Sequence, residues 1–299
     1  MLNCLKTEFK TFFHIRIVAV CLLALLIVTL AFFYNGFQNV KDQIIYDRNT
    51  LEEVIQFAKE NDDADVDYSA ITDSLTEIYK TYNPQMALNN SLGVLLGIAI
   101  IVFPIISSCY IGAEYGKSRT IKQKCTYYSL LRIFLSKSVV LVAVITAFTM
   151  IYSLICYIIT ASEWKKINIL LSNIGEVTFD GIKSFSLKEN AVLFGTVVAV
   201  IFFYTLITML ISSVFKGSTF GIIGVVAINY IVLPTEYSPH NVIFAIINKV
   251  IYTSSVSPYS FFENGIKYLS IGNAVALFSV YFFVVILALL FVSLRQRNN

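Results

Sequence analysis

The sequence is short of charge. Asp, Glu, Lys and Arg make up 14% of its 299 residues, while 57% are hydrophobic. A soluble globular domain carries about 25% charged and roughly 45–50% apolar residues. A chain with this deficit cannot cover a water-facing surface, so the leading class is an all-α polytopic membrane protein. Histidine is scarcer still. His14 and His240 stand far apart, and neither has a neighbour with which to hold a metal or relay a proton. The five cysteines (Cys4, Cys21, Cys109, Cys125 and Cys156) are scattered, with no C-x-x-C pair. That argues against a zinc site or a disulfide framework. Those within apolar segments read as small hydrophobes.

What is present is a set of long apolar runs. A helix that crosses ~30 Å of hydrocarbon needs about 20 mainly apolar residues. Six segments qualify: 17–34, 91–111, 138–161, 191–214, 219–234 and 273–294. The first is too long for a signal-peptide core and ends in no A-x-A-like site, so it reads as a retained span. The fifth is the shortest, and the linker 215–218 before it is the weak joint of the topology. None of the six contains Asp, Glu, Lys, Arg or His. Ionisable groups at membrane depth are expensive and are kept for use. Their absence argues against proton coupling and against intramembrane proteolysis, so the chain is not expected to be an enzyme.

Charge sets the expected orientation. With the N-terminus inside, the cytoplasmic pieces are 1–16, 112–137, 215–218 and 295–299. They hold 12 of the 22 Lys and Arg and only two acids, Glu8 and Glu114. The positive-inside rule is then satisfied, both termini are cytoplasmic, and the expected location is the plasma membrane.

The connecting pieces carry their own patterns. In 1–16, Leu2, Leu5, Phe9, Phe12 and Phe13 recur at helical spacing, which predicts an amphipathic helix lying in the inner interface. The external loop 35–90 holds 11 acids against four bases. Val40, Ile44, Leu51, Val54, Ile55 and Ala58 predict one amphipathic helix, and Ile71, Leu75, Ile78 and Tyr82 a second, together a small helical hairpin. Asp63, Asp65 and Asp67 between them imitate the start of a calcium loop. Tyr68 stands where its glycine belongs and Ser74 where its final glutamate belongs, so a solvated acidic turn is expected instead. Segment 162–190 is a further external loop, and 235–272 is expected to form short helices dipping into the outer leaflet. Gly217, Gly221 and Gly224 fall near one face of span five and predict close helix packing, within the chain or between two copies.

The segment after span two is the most informative. Gly112, Gly116, Lys117 and Ser118 read G-x-x-x-G-K-S, one residue short of a phosphate-binding loop. Such a loop follows a buried strand, whereas the preceding residues 92–111 form a membrane helix containing Pro104. A basic cytoplasmic segment that docks on another protein fits better. Glu114 stands at the membrane boundary, and the cost of holding it there predicts a basic partner, Lys117 or a base on another segment.

Glu114, Tyr115, Thr120, Ile121 and Lys122 form an E-Y-x-x-x-x-T-I-K pattern, followed by a basic stretch leading into span three. Together with six spans and an N-terminal amphipathic helix, this resembles the membrane subunits of type-2 ABC transporters. The resemblance implies a coupling element around 114–124 that contacts a separate cytoplasmic ATPase through Glu114, Tyr115, Lys117, Arg119, Thr120, Ile121 and Lys122. It also implies two ATPase subunits holding ATP and Mg, a second permease subunit, identical or related, and a pathway near spans two and five. The expected function is therefore permease subunit of an ATP-driven exporter. The Tyr, Phe, Ser and Thr of the spans suit an amphipathic or hydrophobic cargo, a peptide first, a lipid or drug next. Membrane lipid is the other expected partner; nucleic acid is not. The alternative is a non-transporting sensor or immunity subunit that binds an extracellular ligand through loop 35–90.

Overall fold

The computed structural model describes residues 2–60, 69–115, 124–125, 127–172, 186–230, 237–250 and 269–295. Among them every regular element is helical. In chain order these are α1 (Leu2–His14), α2 (Arg16–Glu60), α3 (Ser69–Tyr82), a 3₁₀ turn (Pro84–Met86), α4 (Ala87–Tyr115), α5 (Leu130–Ser172), α6 (Leu187–Val214), α7 (Ser218–Tyr230), α8 (Pro239–Val250) and α9 (Ile271–Arg295).

Five of these helices, α2, α4, α5, α6 and α9, contain stretches long and apolar enough to cross a membrane, which fits a multi-pass membrane protein. Their outward faces agree. Ile17, Val20, Leu23, Ile27 and Phe32 of α2, and Val280, Phe283, Leu287 and Phe291 of α9, are exposed. A continuous apolar belt of this size is a surface for lipid or protein, not for water. The fifth expected span is observed only as the 13-residue α7. At about 1.5 Å per residue that length falls short of ~30 Å; residues 231–234 lie outside the described residues.

Two helices, α2 and α5, run furthest beyond their expected spans. The first expected span and the first helix of the external hairpin form one 45-residue helix, α2. No proline interrupts Arg16–Glu60, so the backbone hydrogen bonds continue where the apolar run stops. Its C-terminal half presents Phe37, Val40, Ile44 and Leu51 as one buried face, which packs on Leu75, Ile78 and Tyr82 of α3. The C-terminal part of α5 completes this cluster. Lys41 is ion-paired with Glu163, and Trp164 packs on Tyr79 at 5.1 Å. The acidic turn 62–67 lies outside the described residues.

At its other end the bundle is organised around α4. This helix packs on α2, α5, α6 and α7, and more than half of its most apolar stretch is buried, as is that of α6. In α9 the figure is 6%, so that helix lines the periphery. α6 starts at a capping box: Ser186 Oγ accepts from Glu189 N at 3.2 Å, and Ser186 N donates to Glu189 Oε2 at 2.8 Å. Two orphan amides are satisfied this way.

Hydroxyls tie the inner helices together. Ser107 Oγ donates to Thr205 O at 3.2 Å, and Ser108 Oγ donates to Ser218 O at 2.6 Å while lying 3.0 Å from Ser212 Oγ. Lipid supplies no hydrophobic drive between helices, so such bonds and close backbone contact hold the bundle. The small residues make the contact. A Cβ on Gly112 would stand 2.3 Å from Ser218 N, and one on Gly221 would stand 2.0 Å from Ser212 Oγ and 2.2 Å from Ser108 Oγ. Gly224 faces Ile211 in the same way, whereas nothing comes nearer than 3.9 Å to a Cβ on Gly217. Gly221 and Gly224 thus pack α7 against its own chain.

Gly221→Leu should therefore lower the thermal midpoint of the purified protein in detergent by an amount equivalent to about 1–3 kcal/mol. Gly217→Ala should leave it unchanged. Equal midpoints for the two variants would contradict the packing of α7 on α4 and α6.

Candidate functional site

Four charges meet where α1, α4 and α5 converge. Each arrives through a simple local rule. On α1, Cys4, Glu8 and Phe12 are spaced by four and form the buried stripe. On α4, Tyr110 and Glu114 share a face by the same spacing. Lys137 lies two turns into α5 and is fully buried. Lys124 precedes α5 and reaches back toward α4.

The geometry is that of a closed cluster. Lys124 Nζ lies 2.7 Å from Glu8 Oε1 and is also ion-paired with Glu114. Lys137 Nζ lies 2.9 Å from Glu8 Oε2 and 3.0 Å from Glu114 Oε1. Tyr110 OH donates to Glu8 Oε2 at 2.7 Å and to Glu8 O at 3.2 Å. The Lys137 ammonium stands 3.6 Å from the centre of the Tyr110 ring, within cation–π range. Phe12 meets the same ring edge-on at 5.0 Å and covers it.

The electrostatics follow. Glu8 is 0% exposed and Glu114 is 3% exposed. Removing such ions from water costs several kcal/mol each, which mutual attraction offsets only when every partner is present. Two acids and two bases leave the cluster neutral. Burial would push the Glu8 carboxyl up. The Lys137 charge and the hydrogen bonds from Lys124, Lys137 and Tyr110 outweigh it and hold Glu8 below the usual carboxylate range. Burial would likewise depress Lys124, but Glu114 and Glu8 outweigh it and raise its pKa. Within the cluster, Glu114 Oε2 is buried without a hydrogen-bond partner among the described residues.

Of the residues expected at the coupling contact, Glu114 and Tyr115 end α4, with Glu114 inside the cluster and Tyr115 half-buried. Lys117, Arg119, Thr120, Ile121 and Lys122 lie outside the described residues. The expected basic partner of Glu114 is supplied by Lys124 and Lys137. Sequence reasoning missed Glu8 and Tyr110. The available signal was the four-residue spacing Cys4–Glu8–Phe12, which sets an acid in the middle of an apolar stripe.

Comparison with protein-family models, with curated proteins and with solved structures gives no match for this chain.

Lys137→Met should destabilise the protein by about 3–5 kcal/mol, since it leaves two buried carboxylates facing one ammonium. The cluster's contribution should also depend on pH with a defined sign. Glu8 has a depressed folded pKa, so its contribution is full above its unfolded value of about 4.3 and is lost as pH falls through the lower folded value. Lys124 has a raised folded pKa, so its contribution is full below about 10.4 and is lost as pH rises through the higher folded value. Thermal midpoints in detergent should stay flat between these limits and fall outside them in the wild type, with a weaker acid-side fall in Glu8→Gln.

Proposed function

We propose that this chain is the permease subunit of an ATP-driven exporter of the type-2 ABC kind, working in the plasma membrane with both termini in the cytoplasm. A second permease subunit, identical or related, would complete the pathway. Two separate cytoplasmic ATPase subunits would hold ATP and Mg and supply the energy. The cargo is amphipathic or hydrophobic, a peptide in the first place and a lipid or drug in the second.

One observation carries this reading. Glu114 and Lys124 bracket the basic segment that resembles a coupling element, and they are ion-paired with each other. Each also engages a cluster residue on another helix: Lys124 holds Glu8 of α1, and Lys137 of α5 holds Glu114. A load applied to residues 115–123 therefore reaches α1, α4 and α5 together through buried contacts. Through Ser108 and Gly112, α4 is in turn joined to α7. Nucleotide binding on the ATPase would close it, press on this segment and tilt the helices that share the cluster.

A specific observation also supports the sensor or immunity reading. The outer half of α2, α3 and the outer end of α5 form a folded body joined by Lys41–Glu163 and Tyr79–Trp164. A ligand-capturing subunit would need such a body.

Affinity purification separates the two. An exporter subunit should bring down a cytoplasmic ATPase, and simultaneous charge reversal at Lys117, Arg119 and Lys122 should abolish that capture while leaving the protein folded. Capture that is unchanged by the reversal would contradict the coupling role of the segment. ATP hydrolysis by the purified chain alone would overturn the proposal.

A further inference from the structure

The ends of α5, α6 and α9 nearest the charge cluster enclose a cleft of about 130 Å³. Leu131, Phe134 and Ser138 of α5, Leu206 of α6, and Ile286 and Leu290 of α9 line it. Ser138 supplies the only hydroxyl, and that hydroxyl already donates to Phe134 O at 3.0 Å. The cleft thus offers no free polar group. A water molecule needs two to four polar partners, and an apolar cavity of roughly 150 Å³ stays dry. The volume is below the ~300–1,000 Å³ of pockets for drug-sized ligands. Its fitting occupant is a slim hydrocarbon chain.

The surroundings say which chain. One wall is α9, the long helix with the least burial, so the cleft opens among side chains that face lipid. The same three helices end in cations. Arg132 is exposed one residue past Leu131, Arg295 is exposed five residues past Leu290, and Lys216 is exposed in the turn after α6. None of the three forms an ion pair among the described residues, unlike Lys137, which the buried cluster consumes. The acids of these helices, Glu163 and Glu189, stand at the opposite ends. An apolar slot beneath unpaired cations matches an acyl chain beneath an anionic headgroup, each cation near a charged lipid surface contributing a favourable electrostatic attraction.

We propose that the cleft between α5, α6 and α9 binds one anionic glycerophospholipid, with an acyl chain in the slot and its phosphate among Arg132, Lys216 and Arg295. The lipid belongs to the leaflet on the α1 side, which is the cytoplasmic one in the orientation given above. The site does not depend on ATPase coupling, so it stands or falls separately from the transport reading.

The test reconstitutes the full chain in nanodiscs of equal phosphatidylglycerol and phosphatidylcholine and identifies the lipid retained on release by native mass spectrometry. The wild type should retain one phosphatidylglycerol in preference to phosphatidylcholine. The exposed pair Arg132→Gln and Arg295→Gln should fold normally and lose that preference by about 30-fold, roughly a factor of five per arginine. Ser138→Phe, which sets a ring in the slot, should lose the retained lipid of either kind. Equal retention of both lipids by the wild type, or an unchanged preference in the double arginine variant, would overturn the proposal. A change of oligomeric state in Ser138→Phe with the lipid still retained would assign the cleft to a second copy of the chain and overturn it as well.

Discussion

The cost of removing charge from water governs this structure. Glu8, Glu114, Lys124 and Lys137 are all withdrawn from solvent where α1, α4 and α5 meet. No single pair among them would offset its own desolvation; the four together with the Tyr110 hydroxyl and ring do so. The consequence is a geometric obligation. Neither α1 nor Lys124 can leave the cluster without stranding the remaining charges in an apolar interior. The cluster specifies one arrangement of three helices whose sequence positions are far apart, Glu8 and Lys137 being 129 residues from each other.

The remainder of the bundle is held by weaker means that act over many contacts. Hydroxyls of α6 that would be orphaned in an apolar core bond back to their own helix, as Thr205 does to Ile201 O at 2.7 Å and Thr208 to Tyr204 O at 2.7 Å. Ser107 and Ser108 instead reach across helices. Gly112 and Gly221 let α7 approach α4 and α6 closely. These contacts place α7 against the helix whose end carries Glu114. The charge cluster and the close-packed glycine contact therefore share the last two turns of α4, where Ser108, Tyr110, Gly112 and Glu114 all lie.

Much of the helical architecture was legible in hydropathy, because lipid imposes a length on any apolar helix that crosses it. The ends of the helices were not. Hydropathy falls after Tyr34, yet α2 continues to Glu60, and α5 continues from Leu130 to Ser172, beyond both edges of the apolar run. The apolar pattern reports where lipid could be met; the helical backbone hydrogen bonds do not depend on it and run on into polar sequence. The candidate site was half legible. Glu114 drew attention because a lone acid at a membrane boundary needs a partner. Glu8 did not: the spacing Cys4–Glu8–Phe12 sets it in an apolar stripe, but its partner Lys137 is brought to it from the far side of two spans. No local pattern encodes that meeting; only the packing of α1 on α5 does.

The central claim is that Glu8 and Lys137 are energetically coupled across the α1–α5 contact. A double-mutant cycle with Glu8→Gln, Lys137→Met and the combined variant, read as thermal unfolding free energy in detergent near neutral pH, measures that coupling directly. The account predicts that the combined variant loses clearly less than the sum of the single variants, with a coupling of about 1–3 kcal/mol. Additive losses would contradict it, since they would mean that the two side chains do not meet.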